Sequence, residues 1–137
     1  MIAEHAAVVP AHKLSETVLE FGEPLLSTLG PDAPLAARQK SLELVIMVWN
    51  AVAMAMPLWG KPELLQQFEQ TLSQPAVASP TTDVLRRLIE RRRELYGTDL
   101  RTVGEWALSL QPDHSYELRC VAHLPSRAGE TGRTIGP

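Results

Sequence analysis

The hydrophobic period of the chain changes in residues 102–124, TVGEWALSLQPDHSYELRCVAHL. Before this stretch, apolar residues recur at intervals of three and four, which is typical of one face of a helix. Within it, apolar and polar residues alternate, which is typical of a half-buried strand. The segment QPDH, residues 111–114, suits a turn because Pro and Asp favour turn positions. The stretch therefore predicts two antiparallel strands joined as a hairpin.

The apolar residues also predict the register of this hairpin. Most of them have even numbers in both strands: Trp106, Leu108, Leu110, Tyr116, Leu118, Cys120 and Ala122. Directly opposed residues share a face, so even must meet even if both apolar sets are to point inward. We expect Leu108 to face Leu118 and Trp106 to face Cys120, with a loop of three or five residues. Since an isolated hairpin is marginal in water, we expect it to lie on the helices.

Four helices are predicted before the hairpin. The first spans about residues 13–29 with an interruption at Gly22 and Pro24, and the third begins at Pro62. The second runs to about residue 56 with Asp32 as its cap; it is apolar on most sides, which favours a central position. The fourth is predicted to run from a cap at Ser79 to a left-handed Gly97.

The predicted fold class is therefore α+β and mostly α: a four-helix core around the hydrophobic second helix, with the C-terminal antiparallel hairpin packed on it. The boundaries are expected to be an N-terminal lead-in at residues 1–10, a single domain at residues 11–124 and a disordered tail at residues 125–137.

Composition excludes several classes of protein. The 137 residues carry a net charge of −3, so no global field would draw the chain to nucleic acid or anionic lipid. The longest apolar run, residues 44–59, is shorter than the about 20 residues of a membrane span, which predicts a buried core helix. No signal peptide is apparent, and a cytoplasmic location is the default expectation. The single cysteine, Cys120, cannot form an internal disulfide.

The segment RRLIERRREL, residues 86–95, contains five arginines. Four of them lie away from the apolar face of the predicted helix or beside local carboxylates: Arg86, Arg87, Arg91 and Arg93. Interspersed acids neutralise much of this charge, so the segment predicts an ordinary solvated helix face. The alternative is a weak nucleic-acid surface formed by these four residues, although no nucleic-acid-binding motif accompanies them.

Arg92 differs because it lies in the middle of the apolar stripe, between Ile89 and Tyr96. A guanidinium cannot lose its proton at neutral pH, so its burial requires a partner. We expect either an ion pair with Glu43 or Glu105, or a stem that packs in the stripe while the charged head reaches water. The alternative is a ligand site, in which Arg92, Glu105 and Trp106 line a pocket between the hairpin and the helices.

No motif for catalysis, a cofactor or a metal is present. The sequence therefore favours a small soluble accessory or protein-interaction domain that is not an enzyme. Its partner is an unidentified protein or a second copy of itself in a homodimer, since the apolar second helix and the hairpin edges invite pairing. The nucleic-acid binder and the small-ligand protein or enzyme remain as alternative hypotheses.

Overall fold

The structure, a computed structural model, describes residues 13–77, 79–125 and 133–135. Within these residues, five α-helices precede the strands: α1 Leu14–Phe21, α2 Glu23–Leu26, α3 Leu35–Met54, α4 Glu63–Leu72 and α5 Pro80–Leu95. An antiparallel sheet follows: β1 Thr102–Leu110, β2 Tyr116–Leu124 and β3 Arg133–Ile135. The predicted α+β fold, mostly helical with a C-terminal antiparallel hairpin, is confirmed.

Helix α3 forms the centre of the fold, as its apolar composition predicts. It contacts each of the other helices and β1. Its buried side chains are Leu42, Val45, Ile46, Val48, Trp49, Ala51, Val52 and Ala53. A helix that is apolar around most of its circumference needs neighbours on most sides, and the surrounding elements supply them. Within the described part of the chain, no helix combines the length and the apolarity that crossing a membrane requires.

The first predicted helix is divided into α1 and α2 at Gly22, where the interruption was expected. A methyl group on Gly22 would lie 2.7 Å from Val45 Cγ1 of α3. Real side chains do not tolerate such a contact, so glycine allows the α1–α2 junction to press against the central helix.

Two of the predicted helix-end residues are correct and two are wrong. Ser79 caps α5, since its hydroxyl accepts a hydrogen bond from the Thr82 N–H at 3.2 Å, and the interruption at Pro24 is confirmed.

Asp32 does not cap α3, which begins after Pro34 without a side-chain cap. Gly97 does not have a positive φ; instead, a Cβ there would lie 2.5 Å from the Arg93 carbonyl oxygen. Glycine is thus required at this position for space rather than for left-handed geometry.

The hairpin has the predicted register. Leu108 pairs with Leu118 and Trp106 pairs with Cys120, across a loop of five residues, 111–115. The register shifts by one residue between Val103 and Trp106, so Val103 pairs with Ala122 and both are buried. This β-bulge was not predicted. It turns an odd-numbered valine toward the core, where strict alternation would leave it on the solvent face.

The segment predicted as a tail contributes a third strand. β3 pairs antiparallel with the end of β2, with Ala122 opposite Ile135 and Leu124 opposite Arg133. The predicted two-stranded hairpin is thus part of a three-stranded sheet in the order β1-β2-β3. The unpaired N–H and C=O groups along the outer side of β2 favour this addition. The predicted lead-in at 1–10 and the rest of the predicted tail, except Pro125, lie outside the described residues.

Candidate functional site

The Arg92 side chain is completely buried between α5, α3 and the connection to β1. Its Nε donates to the Trp49 carbonyl at 3.3 Å, its Nη1 to the Tyr96 carbonyl, and its Nη2 to the Asp99 carbonyl at 2.7 Å. The guanidinium carbon also lies 3.6 Å from the centre of a Trp49 ring, in cation–π geometry. Arg92 therefore joins the central helix to the residues that follow α5.

The expected ion pair of Arg92 with Glu43 or Glu105 is wrong. Both glutamates are exposed to solvent, while the donors of Arg92 point at main-chain oxygens. Burial lowers the pKa of Arg92 to about 10, and the nearby Asp99 carboxylate opposes that shift, so the guanidinium stays charged at neutral pH. Three carbonyl dipoles and an aromatic face replace the expected carboxylate partner.

The three candidate ligand-binding residues, Arg92, Glu105 and Trp106, have different surroundings. Arg92 is surrounded by carbonyl oxygens, which repel an anion, whereas Glu105 is exposed at the bulge and Trp106 is half-buried. Two surface depressions among the described residues lie elsewhere. One has a volume of about 250 Å³ and lies between the ends of α3 and α5 and the start of α4, with Met56, Leu65 and Arg93 in its lining. The other, about 470 Å³, lies along α4.

Of the other four arginines of α5, two bind the ends of neighbouring helices and two are exposed. Arg86 donates to the Leu72 carbonyl at 2.6 Å, and Arg91 donates to the carbonyls of Glu20 and Phe21, both at 3.1 Å. These carbonyls belong to the C-terminal turns of α4 and α1, where the helix itself supplies no donor and its dipole is negative. Arg87 and Arg93 are exposed. The predicted nucleic-acid surface is therefore divided, because two of its four cations bind helix ends.

The spacing of residues in the sequence did not predict that these arginines bind helix ends. The positions of Arg86 and Arg91 on α5 are evident from the sequence, but the ends of α1 and α4 lie 70 and 14 residues away along the chain. Arginine facing a helix C-terminus is a recognised stabilising arrangement. Only the packing of α5 against both ends reveals that it occurs here.

The outer edge of β1 is covered at its beginning by polar atoms of the helical core. The side-chain amide of Asn50 on α3 binds both main-chain groups of Val103, as a neighbouring strand would. Its Nδ2 donates to the Val103 carbonyl at 2.9 Å, and its Oδ1 accepts from the Val103 N–H at 2.7 Å. Trp49 Nε1 donates to the Arg101 carbonyl, and Trp59 Nε1 donates to the Leu100 carbonyl, both at 2.7 Å. These contacts anchor the chain where it enters the sheet.

The remainder of the β1 edge has no such cover among the described residues. The Gln111 N–H donates to the Ser115 carbonyl at 2.8 Å, which fixes the hydrogen-bond alternation of the hairpin. From that bond, odd-numbered residues between 107 and 111 direct their N–H and C=O groups to β2. The even-numbered residues Trp106, Leu108 and Leu110 direct theirs away from the sheet. β1 is the terminal strand of the described sheet, so these groups form an edge that no described residue covers.

Apolar side chains flank this open edge, which we define as the Trp106–Leu110 edge. Leu110 is 51% exposed and Trp106 is half-buried. The edge therefore combines free main-chain hydrogen-bonding groups with accessible apolar surface.

Cys120 lies on the inner face of β2, as the parity of the strand predicts, and is buried. Burial raises the pKa of its thiol from 9.0 to about 11, so the thiolate is scarce at neutral pH. Among the described residues, no cluster of His, Cys, Asp and Glu is arranged to hold a metal ion.

We expect Cys120 to react slowly with a disulfide reagent such as dithionitrobenzoate at pH 8, because reaction needs an accessible thiolate. The rate should rise by orders of magnitude when urea unfolds the chain. The raised pKa also predicts that the protein loses stability as the pH rises from 9 toward 11, since the unfolded chain releases this proton first. Rapid modification of the folded protein at pH 8 would contradict a buried, neutral thiol.

No protein-family model, curated protein or solved structure matches this chain.

Proposed function

We propose that this protein is a non-enzymatic interaction domain that binds an extended strand of a partner chain along the Trp106–Leu110 edge. The observation that carries the proposal is the set of outward-facing N–H and C=O groups at Trp106, Leu108 and Leu110. Strand addition uses such groups for affinity, and the neighbouring side chains provide specificity.

The composition of β1 supports this role. Natural sheets protect their edges with lysine, proline, bulges or covering elements. β1 has a bulge and the Asn50 cover at its start, but from Trp106 to Leu110 it contains no charged residue and no proline. Among the described residues, this protection therefore ends at Trp106. An edge of this kind promotes aggregation unless a partner strand covers it.

The alternative functions have weaker support. Nucleic-acid binding would rest on Arg87 and Arg93, because Arg86 and Arg91 are bound to helix ends, and the net charge is −3. A small-ligand function would rest on the 250 Å³ depression near Arg93, which lies away from the proposed trio of Arg92, Glu105 and Trp106.

Amide hydrogen exchange, measured by NMR, tests whether the edge is available. At a concentration where light scattering gives the mass of one chain, we expect the amides of Leu108 and Leu110 to exchange nearly as fast as in an unstructured peptide. Those of Ala107 and Ser109 should be strongly protected, because they bind β2.

Val103 is the internal control for this measurement, since its N–H lies on the same side of β1 but is bound by Asn50. Its amide should be protected. Equal protection of Leu108 and Ala107 in the single chain would show that the chain covers its own edge, and would overturn the proposal.

A further inference from the structure

We infer that the partner strand is β1 of a second copy of this chain. The two strands pair antiparallel about a two-fold axis that passes midway between the two Leu108 residues. This inference rests on the proposed function and identifies the partner of the same edge. Self-association through one patch requires that the patch be complementary to itself, with residue i opposite j and j opposite i. The Trp106–Leu110 edge satisfies that requirement in its main chain and in its side chains.

The main chain of the edge selects the register. With the axis at Leu108, each of the three outward-facing residues meets another outward-facing residue: Leu108 meets its own copy, and Trp106 meets Leu110 in both directions. Each such pair can exchange two N–H···O bonds, so the interface forms about six of them.

In neighbouring registers, fewer of the outward-facing N–H and C=O groups of β1 find a hydrogen-bond partner. An axis at Ser109 sets Trp106 opposite Pro112, which has no N–H to donate. An axis at Ala107 sets Leu110 opposite Gly104, where the bulge interrupts the regular strand. The register centred on Leu108 is therefore the one that uses all three outward-facing residues.

Side chains across this axis are compatible as well. On the inner face, the half-buried Trp106 ring would lie opposite Leu110, which is 51% exposed in the single chain. Such aromatic–aliphatic cross-strand pairs stabilise sheets. On the outer face, Ala107 meets Ser109 and Glu105 meets the neutral Gln111, so no like charges oppose one another.

Mixed disulfide formation tests this register directly. In it, Ala107 lies opposite Ser109 of the second copy in a non-hydrogen-bonded pair, whose Cα atoms are about 4.5 Å apart and suit a disulfide. Both side chains are exposed on the outer face. An equimolar mixture of the Ala107→Cys and Ser109→Cys variants, oxidised gently, should form covalent dimers up to about half of the protein, the share of mixed pairs expected from random association.

Each variant alone should form few covalent dimers, because like positions are about 8 Å apart, beyond the reach of a disulfide without backbone movement. The unsubstituted protein is a further control, since its Cys120 is buried. Efficient cross-linking of either variant alone, with none added by mixing, would overturn the register.

A second pair of variants tests the edge hydrogen bonds. Light scattering over a concentration series should show a dimer for the unsubstituted protein. Leu110→Pro should raise the dimer dissociation constant about tenfold or more above that of Leu110→Ala, because two symmetry-related N–H donors are lost in addition to the side chain. Equal dissociation constants for the two variants would overturn the assigned strand pairing.

The failures of the two proposals are distinguishable. A single-chain mass up to millimolar concentration, with Leu108 and Leu110 amides that still exchange fast, overturns the second copy as partner and leaves strand addition as the proposed function. Slow exchange of those amides in the single chain overturns both.

Discussion

Replacing Arg92 by Ala should lower the free energy of unfolding by about 3–5 kcal/mol, the largest effect we expect from a single substitution in this protein. The change removes a fully buried side chain and, with it, the charged donor that binds the carbonyls of Trp49, Tyr96 and Asp99. The Tyr96 carbonyl keeps the Asp99 N–H as a donor, and the Trp49 carbonyl lies within the regular helix α3. The loss therefore comes from the charge-assisted hydrogen bonds themselves and from the cavity over the Trp49 ring. Urea unfolding followed by circular dichroism measures the difference.

One further substitution separates the packing of the Arg92 side chain from its polar interactions, and a second serves as a control. Arg92→Met retains much of the aliphatic stem but no donor, so it should be nearly as destabilising as Arg92→Ala if the carbonyls dominate. Arg93→Ala is the matched control: Arg93 is adjacent in sequence but exposed, and its loss should change stability by no more than about 0.5 kcal/mol. Similar unfolding midpoints for Arg92→Ala and Arg93→Ala would contradict the buried arrangement.

Replacing Asn50 by Leu should lower the free energy of unfolding by about 2–3 kcal/mol. Asn50 forms a donor–acceptor pair with the N–H and C=O of Val103, and leucine of similar size leaves both groups unsatisfied where α3 meets the sheet. Because this contact holds the start of β1, the Val103 amide should also lose its protection from exchange. Urea unfolding and amide exchange of the same variant measure the two effects.

Glu43→Ala is the control for the Asn50 substitution. Glu43 lies on α3 seven residues before Asn50, on nearly the same side of the helix, but it is exposed. We expect a change within about 0.5 kcal/mol and a Val103 amide that stays protected. If Asn50→Leu behaves like Glu43→Ala, the amide is not a structural anchor of the sheet.

An Asn50→Asp variant separates the two hydrogen bonds. A carboxylate can still accept from the Val103 N–H, but it cannot donate to the Val103 carbonyl and is repelled by it. That environment should raise the pKa of the introduced carboxyl group. The variant should therefore lose stability relative to the unsubstituted protein as the pH rises from about 4 to 7.

The sequence predicts the hairpin well because its main determinant is local. Alternating side chains must place their apolar members on one face, so parity alone pairs Leu108 with Leu118 and Trp106 with Cys120. The same parity fails at Val103, because a bulge adds one residue to β1 and exchanges the faces. Alternation in a sequence cannot show where a strand departs from regular pairing to satisfy its packing.

For Arg92, the sequence predicts burial but not the partner. The spacing of Ile89, Arg92 and Tyr96 places the guanidinium in the apolar stripe of α5, and it is buried there. The expected partner was a carboxylate, since charged side chains are visible in a sequence. Main-chain carbonyls are present at every residue, so composition gives no sign of which of them will converge on a given donor.

The sequence by itself thus determined the order and type of the main helices and of the two hairpin strands, the central position of the apolar helix and the pairing of those strands. These features follow from the periodicity of apolar side chains, which is a local property of the sequence. Only the tertiary structure decided which groups meet over long separations: Arg86 and Arg91 at the ends of other helices, and Asn50 against Val103. It also decided that the β1 edge is covered at its start and open beyond, because hydrogen-bond satisfaction depends on which backbone groups come together in space.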